Sequence, residues 1–402
     1  MKYAVILFDG MADYPDRNGE TPMSLACKPT VDSLAAHAEV GLVCTVPEGL
    51  KPGSDVANLS VMGYDPRECY TGRSPLEALS IGIDLDDDSV TYRCNLVTLS
   101  DEEAYEDKTM LDYSAGEIST EEARELINYL SENLSSDELE LFSGVSYRHC
   151  LKRKSGVTGA ILTPPHDISD RKIADHLPHG MYAAQLLGIM KKSHELLKNH
   201  PVNLKRIASG KNPANSIWLW GEGTKPKLAN FKSFTGLLGA VISAVDLIKG
   251  IAIGAGMHSI DVENATGTIH TDFAGKAQAA VNALKTHDYV YVHLEAPDEC
   301  GHQGDKAGKI LAIELIDKFI VKPVYEHLRN CGDDFKILIL PDHATPYTLK
   351  THTGEPVPYL LYESNREHKG VNTFTEKTAA QTGNSIEYGF YLIDRLLNRK
   401  HK

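Results

Sequence analysis

The chain has 402 residues, 41 basic and 55 acidic, giving a net charge of −14. A length of this order carries roughly two to three domains and buries a large core, and 42% hydrophobic with 24% charged residues is the balance of a folded chain, not a disordered one. The acidic excess argues against a general nucleic-acid binder, which needs clustered Lys and Arg; an anionic ligand would call for a local positive site, such as a metal.

The N-terminus reads MKYAVILFDG, and residues 3–8 have the continuous apolar run of a strand buried on both faces. Asp9 breaks that run too early for a signal peptide. No later stretch approaches the length of a membrane span. The seven cysteines (27, 44, 69, 94, 150, 300 and 331) contain no C-x-x-C pair and suit free thiols in a reducing compartment. A cytoplasmic protein with no membrane contact is expected.

Residues 52–63, PGSDVANLSVMG, set Gly53 at a turn and Ser54 at the start of a helix. Further on, 85–89 and 101–107 are acidic solvated surface, 120–134 is an amphipathic helix, and 163–171 (TPPHDISDR) is rich in turn formers. Residues 216–220, 288–295 and 336–340 read as buried strands, and 309–328 as a helix that Pro323 kinks or ends. Strands separated by helices imply parallel crossovers, so the expected class is α/β, a mostly parallel sheet sandwiched by helices. Candidate site strands flank the middle of the chain. The expected division is therefore a discontinuous domain of residues 1–80 and 235–402, with a second α/β domain, residues 81–234, inserted in it.

Ligand-type side chains recur at the strand ends, where parallel sheets bind ligands. Asp9 directly follows the first strand, although Asp-Gly also makes a plain turn. Ser54 is either a helix cap or a nucleophile, and the second role needs a base or metal to lower its pKa. Asp298 and His302, four apart with Gly301 and Gly304 loosening the backbone, can converge on one cation. Asp342 and His343 follow the 336–340 strand, and His352 lies nine residues on. Each alone has an ordinary structural explanation; their joint placement decides the reading. Carboxylate and imidazole donors suit Mn2+, Zn2+ or Mg2+, and the lack of Cys ligands argues against a structural zinc. Six such ligands exceed one tetrahedral ion and suit a pair, which can activate a nucleophile and clamp a transferring phosphoryl group.

FDG with Asp9, GSDVANLS with Ser54, PDECGH, PDHAT and THTGEPVP resemble the metal-binding framework of the alkaline phosphatase superfamily. FDGMADYP, PGSDVANLSVMGYDP, YTGRSPLEA, YRCNLVT, DYSAGEIS and SIWLWGEG extend a resemblance to the archaeal-type, cofactor-independent phosphoglycerate mutases over nearly the whole chain. That resemblance implies an alkaline-phosphatase-like metal domain with an inserted phosphotransferase domain. It implies that Ser54 is transiently phosphorylated, that Asp9, Ser54, Asp342 and His343 hold one metal, and that Asp298, His302 and His352 hold the other. The two divalent ions would be drawn from Mn2+, Zn2+, Mg2+ or Co2+.

The implied substrate is a small phosphorylated hydroxy acid, 3-phosphoglycerate, isomerised to 2-phosphoglycerate without 2,3-bisphosphoglycerate. Its phosphate and carboxylate suit guanidinium groups. Arg93 with Asn95, Arg148 and Arg73 are the candidates, each open to being an ordinary surface residue. Asp112 is either an acid or base toward the glycerate hydroxyls or a turn cap. The inserted domain would act as a lid that keeps water from the phosphoserine. A homoserine kinase-like phosphotransferase, a metal-dependent phosphomonoesterase and a non-catalytic metal-binding protein are the alternatives. The first would lack the usual nucleotide cradle, since no G-x-x-x-x-G-K-[ST] loop is present, and the last has no use for a Ser among the ligands. Gly254-Ala255-Gly256 lacks the third glycine of a dinucleotide loop. Asn58-Leu59-Ser60 and Asn133-Leu134-Ser135 match glycosylation acceptors, without meaning in a cytoplasmic chain.

Overall fold

A computed structural model describes residues 1–399. The chain forms two compact units, one made of Met1–Tyr70 with the chain from Lys227 on, the other of Thr71–Pro226. These divisions fall about ten residues earlier than the sequence reading set them, for local reasons. The helix Arg73–Ser80 packs on the strands Val90–Leu99 and Ser216–Thr224, so it belongs to the second unit. Phe231 stacks at 4.8 Å on Tyr289, so it belongs to the first.

The first unit is built on an eight-stranded sheet in the order His258–Ile260, Gly239–Ile242, Tyr289–Leu294, Lys2–Phe8, Phe335–Leu340, Val357–Glu363, Glu39–Val43, Ser385–Ile386. Every pairing is parallel except those of Val357–Glu363, which runs against both neighbours. Tyr289–Leu294 and Phe335–Leu340 are buried at every residue. Their largely apolar sequences, interrupted only by His293 and Lys336, follow from this, because a strand covered on both faces has no solvent side to alternate with. The covering helices include Phe273–Thr286, which turns Phe273, Ala277, Ala280 and Leu284 inward at helical spacing. Each large aliphatic side chain so buried contributes about 1.5–3 kcal/mol.

The helix expected at 309–328 is real but not regular. It runs as Lys306–Ile316, a wider π turn at Asp317–Val321, and Lys322–Asn330. Pro323 has no N–H to offer the preceding turn, and the added residue of the π turn absorbs the break without ending the helix. Asp317, in that turn, accepts the backbone N–H groups of Thr30 and Val31 at 3.3 and 2.7 Å.

The second unit carries a five-stranded sheet in which Val90–Leu99 pairs antiparallel with Ser216–Thr224 on one side and with Arg148–Arg153 and Met110–Asp112 on the other. The 216–220 segment was expected to be buried, and it is, but no parallel crossover serves it. Helix Arg73–Ser80 covers the face holding Arg93 and Cys150, while Thr120–Leu134 and Ala183–Leu197 cover the face holding Cys94 and Leu151. An antiparallel sheet covered on both faces gives the same apolar run. Among the described residues, no helix is long and apolar enough to cross a membrane.

Candidate metal centre

Three adjacent parallel strands deliver the site at their carboxyl ends. Lys2–Phe8 ends in Asp9, and Phe335–Leu340 leads through Pro341 into Asp342 and His343. Tyr289–Leu294 leads into the helix Ala296–Gln303, which carries both Asp298 and His302. Four residues apart on one helix, these two lie on one face, with His302 Nε2 3.3 Å from Asp298 Oδ2. Gly10 is in the left-handed region, at φ +63°, and a Cβ there would sit 2.6 Å from Asp298 Oδ1. Only glycine lets the Asp9 loop pass so close to the Asp298 helix.

Ser54 is the first residue of the helix Ser54–Val61, whose cap is Gly53. Its hydroxyl caps nothing and instead lies 3.2 Å from His343 Nε2. Around that nitrogen are Asp342 Oδ2 at 3.4 Å and Asp9 Oδ1 at 3.6 Å. His352 Nε2 stands 2.9 Å from His302 Nε2 and 3.4 Å from Asp298 Oδ1, and the His343 and His352 rings are 4.0 Å apart. The side chains form two groups that could each hold a cation, Asp9–Asp342–His343 and Asp298–His343–His352, with His343 bordering both. All seven candidate ligands, Ser54 included, converge here.

The hydrogen bonds fix the imidazoles. Thr345 Oγ1 gives its one proton to Asp298 Oδ1 at 2.5 Å, so its 3.2 Å contact with His343 Nδ1 requires the proton on the ring nitrogen. The lone pair of His343 Nε2 therefore faces Ser54 and the carboxylates, and burial pushes the ring's pKa down, keeping it neutral. His302 Nδ1 donates to the Lys350 carbonyl at 3.1 Å, again leaving Nε2 toward the site.

The carboxylates fit a cation. Burial, then the nearby charges of Asp342 and Asp298, push Asp9 well above the usual carboxylate range. Its Oδ1 is buried without a hydrogen-bond partner, the kind of atom a metal satisfies. Burial opposes ionisation of Asp298 too, but hydrogen bonds from His302 and His352 prevail and hold it well below that range. The same contact with Asp298 raises His302 to about 9.

Several supporting residues escaped sequence reading. His293, Asn58, Tyr291, Thr345 and Lys309 are all fully buried around the ligands. Lys309 Nζ ties the Asp9 loop to the His343 loop by donating to Ala12 O, Asp13 Oδ2 and Thr345 O at 3.2, 2.7 and 2.8 Å. Faint signals existed. Asn58 lies one helical turn after Ser54, and Tyr291 and His293 share one face of their strand.

The tentative substrate residues lie in the second unit. Arg93 stacks on Trp220 at 3.9 Å and pairs with Glu77 at 2.7 Å, while Arg73 meets the other Glu77 oxygen at 2.8 Å. Burial lowers Arg93 to about 10, with Glu77 opposing the shift. Arg148 lies across from Asn95 in the ladder, on the face that holds Arg93. Asn95 is committed internally, accepting from Trp220 Nε1 at 3.0 Å and donating to Tyr113 O at 3.1 Å. Asp112 leads into a turn. Its oxygens accept from Ser114 N and Oγ, Gly116 N and Asn212 Nδ2, which holds that turn.

Known proteins are similar to this chain along its length. Residues 35–203 match the family described as 2,3-bisphosphoglycerate-independent phosphoglycerate mutase. A probable 2,3-bisphosphoglycerate-independent phosphoglycerate mutase of Geobacter sulfurreducens is 48% identical over 99% of this chain and 100% of its own. The Methanosarcina barkeri protein named 2,3-bisphosphoglycerate-independent phosphoglycerate mutase is 47% identical over 100% of both chains. A solved Pyrococcus horikoshii structure superposes with a TM-score of 0.82 at 29% identity, covering 100% of this chain and 98% of that one. The cofactor-independent phosphoglycerate mutase of Thermoplasma acidophilum shares the fold, with a TM-score of 0.68 at 24% identity over 99% of each chain. Identity near one half along the full length of both sequences leaves no segment outside the likeness, and the chain belongs to the 2,3-bisphosphoglycerate-independent phosphoglycerate mutase family.

Proposed function

We infer that this chain interconverts 3-phosphoglycerate and 2-phosphoglycerate through a phosphoserine at Ser54, at a centre that binds two divalent cations. The observation that carries the reading is the Ser54 hydroxyl, free of any capping duty, 3.2 Å from the His343 nitrogen that borders both ligand groups. Asp9, Ser54, Asp342 and His343 would hold one cation, and Asp298, His302 and His352 the other. When bound, such ions supply Lewis-acid charge that lowers a hydroxyl's pKa and neutralises phosphoryl oxygens.

The chain's own contributions follow from its geometry. Ser54 Oγ attacks the phosphorus from the first turn of its helix, where backbone N–H groups and the helix dipole favour an anion. As the bond to Oγ forms and its hydroxyl proton departs, the bond from phosphorus to the substrate oxygen breaks and that oxygen takes up a proton to become the free 3-hydroxyl. The 2-hydroxyl of the glycerate then takes the phosphoryl group back from Ser54. Arg93, Arg148 and Arg73 bind the acid's anionic groups, and Trp220 and Glu77 hold Arg93 in one orientation for that task. Water reaching the phosphoserine would turn the isomerase into a phosphatase, so the reaction has to exclude it. Seven free thiols accord with a cytoplasmic setting.

The test is a coupled assay of 3-phosphoglycerate turnover with Mn2+ and no 2,3-bisphosphoglycerate. Activity should vanish with chelator and in Ser54→Ala. A vigorous Ser54→Ala enzyme would remove the phosphoserine step.

A further inference from the structure

Asn58 opens a sequence match to a glycosylation acceptor, yet its side chain is fully buried and fully bonded. Its Nδ2 donates to Asp342 Oδ2 at 2.9 Å and to the Ser54 carbonyl at 2.9 Å. Its Oδ1 accepts the Tyr291 hydroxyl at 2.5 Å. The amide can face only one way, because turning it over would set an oxygen against both the Asp342 carboxylate and the Ser54 carbonyl. Tyr291 enforces this, being a phenol that burial keeps protonated and able to donate. Asp342 is otherwise held through Oδ1, by the N–H groups of Gly10 and His343 at 3.1 and 2.9 Å. Asn58 is thus the one side chain described that bonds both to a candidate ligand on one strand and to the backbone of the candidate nucleophile on another segment.

We propose that Asn58, oriented by Tyr291, is a positioning residue that sets the Ser54 helix against Asp342. This rests on the reading of Ser54 and Asp342 given above. The backbone of residue 58 is already tied into its own helix, its carbonyl accepting the Met62 N–H at 3.0 Å, so a merely structural side-chain amide would have no need of Asp342. Its link to Asp342 is where placement of the hydroxyl and of the ligand become one variable.

The experiment compares the wild type with Asn58→Leu, which keeps the shape without the donors, and with Tyr291→Phe, which removes only the orienting hydroxyl. Mn2+ affinity is measured by isothermal titration in the absence of substrate, and kcat and KM are measured separately. Asn58→Leu should bind Mn2+ about 10- to 100-fold more weakly, the usual cost of losing a partner behind a ligand. Its kcat should fall by about 100-fold, as for a misplacement of the order of an ångström, with KM little changed. Tyr291→Phe should move both readouts the same way by less, and it serves if Asn58→Leu fails to fold. Wild-type Mn2+ affinity and kcat in Tyr291→Phe and in folded Asn58→Leu would overturn the positioning role alone. A wild-type protein that binds no Mn2+ would overturn the metal reading, and this inference with it.

Discussion

His293 Nε2 lies 2.9 Å from Asp9 Oδ2, and no other group satisfies that buried ring nitrogen. Behind it, Ser243 Oγ accepts the Val245 N–H at 3.0 Å and meets His293 Nδ1 at 3.2 Å. If the hydroxyl donates to Nδ1, the ring's proton sits on Nε2, facing Asp9, and the unpartnered Oδ1 is the oxygen left for a cation. His293→Leu should therefore weaken Mn2+ binding by about 10- to 100-fold, while His293→Gln, whose amide can donate from a similar place, keeps most of it. Equal affinities in Leu and Gln variants would show that donation to Asp9 does not matter.

Cation binding should also stabilise the fold. With Mn2+ at about 100 times its dissociation constant, the gain is about 2.7 kcal/mol. Thermal unfolding followed with and without chelator checks this, and a Tm that ignores Mn2+ would contradict it.

pH acts on the metal-free chain in two opposite senses. His302 is raised to about 9 by its contact with Asp298, so the stability it lends is fully present below the unfolded value near 6.5 and is lost as pH rises through about 9. Mn2+ has to displace that proton, so its apparent affinity should climb over the same window. Proton release on titration, measured in two buffers of different ionisation enthalpy, tests the sign. Release that grows with pH would refute the assignment.

Lys309 offers a stability test apart from the ligands. Its amine and the Asp13 carboxylate are fully buried 2.7 Å apart. Burial lowers the lysine's pKa, and Asp13 opposes the shift. Lys309→Met strands the carboxylate and should cost about 3–5 kcal/mol in urea unfolding. Lys309→Met with Asp13→Asn should recover part of that loss; a double variant as unstable as the single would show that the pairing is not the cause.

In the second unit, Arg93→Lys keeps the charge but loses both the stacking on Trp220 and the fork toward Glu77. KM for 3-phosphoglycerate should rise with a smaller change in kcat. An unchanged KM would remove Arg93 from substrate binding.

What the sequence made legible was chemistry placed at strand ends. Asp9, Asp342 and His343 stand where apolar runs stop, and such a break is visible in one dimension. The parallel direction of those strands was legible as well, because helical patterns separate them. The same logic misread Ser216–Thr224, since an apolar run reports covered faces and not the direction of the neighbour. His293 and Asn58 were hidden for a different reason. Each sits inside an apolar or helical pattern as a single polar residue, and only the fold reveals what it bonds. Asp112 shows the converse, an acid whose neighbours at Ser114 and Gly116 already consume its lone pairs.

The pairing of Lys2–Phe8 has a consequence for how the molecule is made. Both of its neighbours, Tyr289–Leu294 and Phe335–Leu340, lie far downstream, Lys2 itself aligning with Phe335. At about 5–20 residues per second, this strand waits on the order of tens of seconds after its synthesis for a mate. Meanwhile the antiparallel unit, whose pairings all fall between residues 90 and 224, can close on itself. An apolar hexapeptide left waiting so long is exposed to chaperone capture, and truncation before residue 340 should leave it sticky.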